Sequence, residues 1–211
     1  DSLTATALDY GTSVEHVGDV SLALQDRTGV LATHIITAIA DLAPVAKEVG
    51  LTLEDIGSIA AVAQQRSGIS GAAIAESLNR VLPSIQNNAA EILQLFQQVG
   101  TPQQQTTIED ALASGQTGIA FKELGASYNK LSGAQQKYVV ELLGGRRETK
   151  TIIPIFQNWR DEVEGVNAAL DSNGRLQKSY NELQETARQQ LQRVAAAFKA
   201  IGASLLSLGL T

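Results

Sequence analysis

The sequence predicts an all-α protein, and three observations carry that prediction. Only 4% of residues are aromatic, alanine, leucine and glutamine are abundant, and no stretch alternates apolar with polar residues for long. Strands, which draw on β-branched and aromatic side chains, have little to form from. Apolar positions instead recur at the spacing of one helix face. The expected architecture is a compact multi-helix region of short helices at residues 1–170, a hinge or linker at 171–174, and one long amphipathic helix at 175–211.

Each element follows from local chemistry. Leu31, Ile35, Ala38, Leu42, Val45 and Val49 share a face. Pro44 is expected to break this run near Ala43, so that two helices meet there, because proline lacks an amide donor and its ring crowds the preceding turn. Gly50 fits a C-terminal cap, and Thr52 with Asp55 fits the next N-terminal cap, which predicts a helix over about 52–66. Gly68 and Gly71 bracket a turn, after which Ile74, Leu78, Val81 and Leu82 form a face that Pro83 is expected to interrupt. A further helix, "SIQNNAAEILQLFQQVG", ends at Gly100. Thr101, Pro102 and Gln104 then give a capping box with proline in the first turn.

Ser132 and Gln135 make another capping box, so a helix starts at about 133 and carries Tyr138, Val139, Leu142 and Leu143. It meets Gly144, Gly145, Arg146 and Arg147, which admit two readings, an anion-binding loop or a joint. A phosphate loop needs spaced glycines followed by lysine with serine or threonine, generally after a strand. That context is missing, so the stretch reads as a joint in which one glycine takes a positive φ and the arginines cap or pair across helices. "LDSNGR" has the turn residues of a hinge. Beyond it, Leu176, Tyr180, Leu183, Ala187, Leu191, Val194, Phe198, Ile201, Leu205 and Leu208 trace one stripe without proline. A helix over 175–208 is roughly 50 Å long at 1.5 Å per residue.

Composition excludes several classes of function. With 44% hydrophobic and 18% charged residues the 211-residue chain is expected to fold. A net charge of −6 leaves no cation surplus for a run of phosphates, so sequence-specific nucleic-acid binding is not expected. The absence of cysteine removes disulfides, thiolate metal sites and cysteine nucleophiles together. Methionine is absent and the sequence opens at Asp1, which reads as an excised piece of a longer protein or a processed chain. No secretion signal is visible.

The residues that most often carry chemistry are sparse. His16 and His34 stand in no metal-binding motif and read as surface or half-buried side chains. Paired acids occur at Glu54 and Asp55, Glu109 and Asp110, and Asp161 and Glu162; the first two pairs are expected in helix first turns, offsetting the helix dipole. There is no GxSxG nucleophile elbow and no GxGxxG dinucleotide motif. Trp159 reads as a partly buried packing residue. No catalytic, cofactor-binding or metal residue is assigned, no cofactor is expected, and the chain reads as a non-enzyme.

Three blocks carry a family resemblance. "SVEHVGDVSLAL…APVAKEVGLTLEDIGSIAAVAQQRSGISGAAIAESLNRVL" resembles the helical region of phage tail tape measure proteins, with Leu78, Asn79 and Arg80 where that family commonly has its leucine and basic residues. "LSGAQQKYVVELLGGRRETKTIIPIFQN" looks like its second block, and "LQKSYNELQETARQQLQRVAAAFKAIGASLLSLG" like its long exit helix. The polar, glutamine-rich "QQQTTIEDALASGQTGIAFKELGASYNK" departs from the family's pattern. The resemblance implies a structural virion protein that sets tail length during assembly, occupies the tail tube and assists genome ejection. It implies as partners other copies of itself, tail tube and tail tip or baseplate proteins, tail assembly chaperones, and the host membrane during ejection. The implied location is the phage tail of the virion, after the host cytoplasm during assembly. The alternatives are a prophage-derived tail-like injection component and a membrane-active helical protein. The latter is suggested by "VAAAFKAIGASLLSLGL", which Lys199 interrupts short of the roughly 20 apolar residues a span needs.

Overall fold

The computed structural model describes residues 2–179, 181–183, 185 and 186. Its contacts divide the chain into two units, 1–173 and 174–211. The described residues form helices joined by short turns, with no strand among them.

The first unit is a stack of short helices: α1 (Ser2–Tyr10), α2 (Val14–Thr28), α3 (Ala32–Glu48), α4 (Leu53–Ser67), α5 (Gly71–Asn87), α6 (Ala89–Val99), α7 (Pro102–Ala113), α8 (Thr117–Tyr128), α9 (Gly133–Leu142), a 3-10 turn (Gly145–Arg147), α10 (Thr149–Gln157) and α11 (Trp159–Leu170). The starts of α2, α4, α5, α7 and α9 are set by side chains that accept an orphan amide of the first turn. Capping boxes are complete at Thr52 with Asp55, Thr101 with Gln104, and Ser132 with Gln135, as the sequence predicts. The polar stretch between the first two resemblance blocks is regular, forming α7 and α8.

The prolines do not break helices where expected. Helix α3 runs four residues beyond Pro44, and α5 runs four beyond Pro83. Both prolines are exposed, so each ring lies away from the core. A proline costs about 3 kcal/mol inside a helix, whereas ending α3 at Ala43 or α5 at Leu82 would also forfeit the burial of Ala46 or Ile85 and of the turn that carries it. The break after α5 therefore falls at Asn88, whose Nδ2 donates to the Ser84 carbonyl at 2.8 Å and to the Leu142 carbonyl at 2.9 Å. The end of α10 repeats this arrangement, with Pro154 inside the helix and Asn158 Nδ2 donating to the Pro154 carbonyl at 2.8 Å.

Helix α4 is the centre of the unit. Every residue from Leu53 to Ala63 is buried, and α2, α3, α5, α10 and α11 pack around it. Such close surrounding needs small residues. A Cβ on Gly57 would lie 2.9 Å from Leu24 Cδ1, and a Cβ on Gly165 of α11 would overlap the Ser58 hydroxyl. Beside α4, Phe121 and Phe156 pack with ring centroids 4.9 Å apart, and Trp159 meets Phe156 edge-on at 6.0 Å. Trp159 is 7% exposed, which makes it the packing residue that the sequence suggests.

In the second unit Gly174 has φ +80° and residues 175–179, 181–183, 185 and 186 are helical. The rest of the expected 175–208 helix lies outside the described residues.

Candidate functional site

Three clusters gather several of the charged side chains that the sequence singles out. The first explains the Gly144–Arg147 stretch. Gly144 has φ +121° and Gly145 φ +67°, so the joint uses two left-handed positions where the sequence requires one. The turn they make brings Glu148 inward, where it is 2% exposed. Its carboxylate accepts hydrogen bonds from Ser77 Oγ and from Arg80 Nε, the latter at 2.7 Å. Burial alone would raise the Glu148 pKa, but the hydrogen bonds from Arg80 and Ser77 and the charges of Arg80 and Arg147 together hold it below the usual carboxylate range. Arg80 also donates to Glu76 at 2.5 Å. The pairing expected of Arg146 and Arg147 thus falls mainly to Arg80, because Arg147 comes only within 3.8 Å of Glu76 and Glu148. Arg146 makes no hydrogen bond or ion pair among the described residues and lines a groove between α9 and α10.

The second cluster joins α4, α8 and α11. Asp55 closes its capping box with Oδ2 on the Thr52 amide at 3.0 Å, while its Oδ1 accepts from Lys122 Nζ at 2.7 Å. Glu162 is 1% exposed, and its Oε1 has no hydrogen-bond partner among the described residues. Burial, and then the Asp55 charge, push the Glu162 pKa up to about 8 against the opposing pull of Lys122. Asp55, Lys122, Trp159 and Glu162 line a cleft of about 220 Å³. Two carboxyls beside a lysine, one of them with a raised pKa, is a grouping that catalysis also uses. Here both carboxyls are almost wholly out of contact with solvent, so the arrangement stores a proton between packed helices.

The third cluster lies at the start of α4. His16 Nε2 is 2.9 Å from Glu54 Oε1, and both face a cleft of about 530 Å³ that Tyr10 and Lys47 also line. Burial, then the charges of Asp55, Glu54 and Asp9, raise the Tyr10 pKa. His34 is exposed, with Nδ1 3.0 Å from Gln64 Nε2. Both histidines are therefore the surface or half-buried side chains expected, although His16 has a carboxylate partner that no local spacing announces. Glu54 and Asp55 lie in the first turn of α4 as expected. Glu109 and Asp110 do not; they sit exposed near the end of α7, where negative charge opposes the dipole, and it is Asp161 and Glu162 that occupy a first turn, that of α11. No group of three or more metal-ligating side chains occurs among the described residues.

The charged residues of these clusters tie helices together, and the sequence bears the same interpretation. The model of the family described as phage-related minor tail protein matches residues 1–145 of the 211. The chain belongs to that family. No curated protein and no solved structure matches it. Membership gives this minor tail protein a structural role in the phage tail, in the company of other tail components. The match ends within the joint, yet α10 and α11 beyond it pack directly on α4. Glu148 and Glu162 make the same point, since each reaches back to residues inside the matched segment.

Proposed function

We propose that this minor tail protein is a tape measure: its full length sets tail length during assembly, it occupies the tail tube, and it assists genome ejection. Residues 1–170 are its compact part, 171–174 a hinge and 175–211 an exit helix that meets copies of itself or neighbouring tail proteins. The observation that supports this reading most is the order of the three tape-measure-like blocks along a chain whose residues 1–145 match the minor tail family. The helical architecture agrees with it, and the buried charged clusters serve packing, which fits a non-catalytic protein. In-frame deletions and duplications in the gene that encodes this chain test it. Tail length, read by electron microscopy, is expected to fall and rise with the codons removed and added. Assembled tails of unchanged length would refute the reading.

A membrane-active role is the second reading, resting on the apolar run from Val194 to Leu210, which lies outside the described residues. Among the described residues no helix is long and apolar enough to cross a membrane. Leakage of dye from liposomes on adding the chain would favour that role, and inert liposomes would favour assembly alone.

A further inference from the structure

Charge is segregated in this protein. Residues 130–150 hold five cations, Lys130, Lys137, Arg146, Arg147 and Lys150, against two carboxylates, Glu141 and Glu148. That stretch is therefore +3, and the remainder of a −6 chain is −9. Glu148 is buried under Arg80 and Ser77, whereas all five cations are exposed, so the excess is greater still at the surface. The same stretch forms one wall of a groove of about 430 Å³ between α9, the 3-10 turn and α10. Its floor is apolar, made by Tyr128, Val140 and Ile153, and its rim carries Lys137 and Arg146. Neither rim cation makes a hydrogen bond or ion pair among the described residues. Glu141 is the one carboxylate on the rim.

We infer that this groove docks an acidic amphipathic helix of another tail component. Such a helix sets apolar side chains on the floor and lays carboxylates against Lys137 and Arg146. Charge complementarity selects the sign of the occupant. The apolar floor selects protein over nucleic acid. Helix α9 itself packs on the 3-10 turn and α10, and its Tyr138 is 40% exposed.

The probe is a labelled helical peptide of glutamate and alanine carrying leucine at i, i+4 and i+7, followed by fluorescence anisotropy with the full chain. Saturable binding is expected, weakened by salt and by about tenfold or more in the Lys137→Glu, Arg146→Glu double variant. Both substituted positions are exposed, and circular dichroism confirms that the variant is folded; the Lys137→Gln, Arg146→Gln pair replaces it if it is not. A peptide with lysine in place of glutamate, and one with alanine in place of leucine, are both expected to fail. No binding of the acidic peptide, binding indifferent to the double variant, or equal binding of the alanine peptide would each overturn the proposal. So would tighter binding of a single-stranded oligonucleotide, which would assign the groove to nucleic acid. A salt-sensitive dimer in sedimentation, abolished by the double variant, would assign it to a second copy and likewise overturn it.

Discussion

Gly125 of α8 lies flat against the indole of Trp159 in α11, so close that a Cβ at position 125 would overlap the Cε3 edge of the ring. The contact ties the α8 face of the unit to α11, and through the rings of Phe121 and Phe156 to α10. Gly125→Ala is expected to displace the indole and to destabilise the unit by about 1–3 kcal/mol, the range for overpacking. Trp159 is the only tryptophan, so its fluorescence during urea unfolding reports both the local shift and the global loss. An unchanged urea midpoint would show that α8 and α11 separate freely.

Stability is expected to depend on pH through Glu162. Its pKa is about 8 in the folded chain against an ordinary 4.5, so the folded state holds a proton that the unfolded state releases. A raised folded pKa means that the contribution is fully present below about 4.5 and is lost as pH rises through about 8. Between those values stability should fall by about 1.4 kcal/mol per pH unit from this group alone. The groups that face it are Asp55, Lys122 and Glu123, and only Lys122 favours its ionisation. Glu162→Gln keeps the shape and cannot ionise, so its melting temperature should be flatter across this window. A wild-type slope that survives the substitution would move the proton elsewhere.

The two glycines of the joint should differ. Gly145 has φ +67°, and a Cβ there would meet nothing within 4 Å, so Gly145→Ala should cost only the left-handed penalty of about 1–2 kcal/mol. At Gly144 the same change adds a contact 2.8 Å from Glu148 Cγ. That contact presses on the side chain that Arg80 and Ser77 hold, so Gly144→Ala should be the more damaging. Thermal melts of the two variants, and of the harsher Gly144→Val and Gly145→Val, test the order. Melting unchanged from that of the unsubstituted chain in all four variants would remove the positive-φ argument.

What the sequence revealed and what it hid separate by range. Thr52 with Asp55, Thr101 with Gln104, and Ser132 with Gln135 are partners within one turn, so the helix starts could be read directly. The effect of Pro44 and Pro83 could not, because it depends on how deeply Ala46 and Ile85 are buried by other helices. The joint signal was present but shifted: "PSIQNN" and "PIFQN" place asparagine, not proline, at the break. The charged clusters were hidden for the same reason. Asp55 and Lys122 are 67 residues apart, and Arg80 and Glu148 are 68 apart, so no motif spacing joins them. Groove cations Lys137 and Arg146 were visible as residues, but the floor between them requires α10 to fold back against α9.

The two break-point asparagines offer a graded test. Asn88 Nδ2 serves two carbonyls, one on its own helix and one at the end of α9, whereas for Asn158 the matching contact is to the Pro154 carbonyl alone. Asn88→Ala should therefore cost about 1–2 kcal/mol and loosen α9 against the α5–α6 corner, and Asn158→Ala about half as much. Hydrogen exchange of the α9 amides should quicken only in the first variant. Equal exchange in both would mean that the Leu142 contact does not hold α9.

Association is the remaining test, and it rests on the apolar stripe from Leu176 to Leu208. Those positions recur near the 3.5-residue spacing at which helices pair along a seam, and no proline interrupts them. Helix α11 ends at Leu170, the first unit closes by residue 173, and the described residues of that unit form a buried core from Ala7 to Ala169. An apolar seam of that length left in water favours pairing, whether with other copies or with neighbouring tail proteins. The full chain is therefore expected to sediment as an oligomer at concentrations where a chain ending at Asp171 is a monomer. The truncated chain should keep its cooperative melt, because the contacts around α4 remain. Equal monomer masses for the two chains would sink the association and leave the stripe to fold back within one molecule.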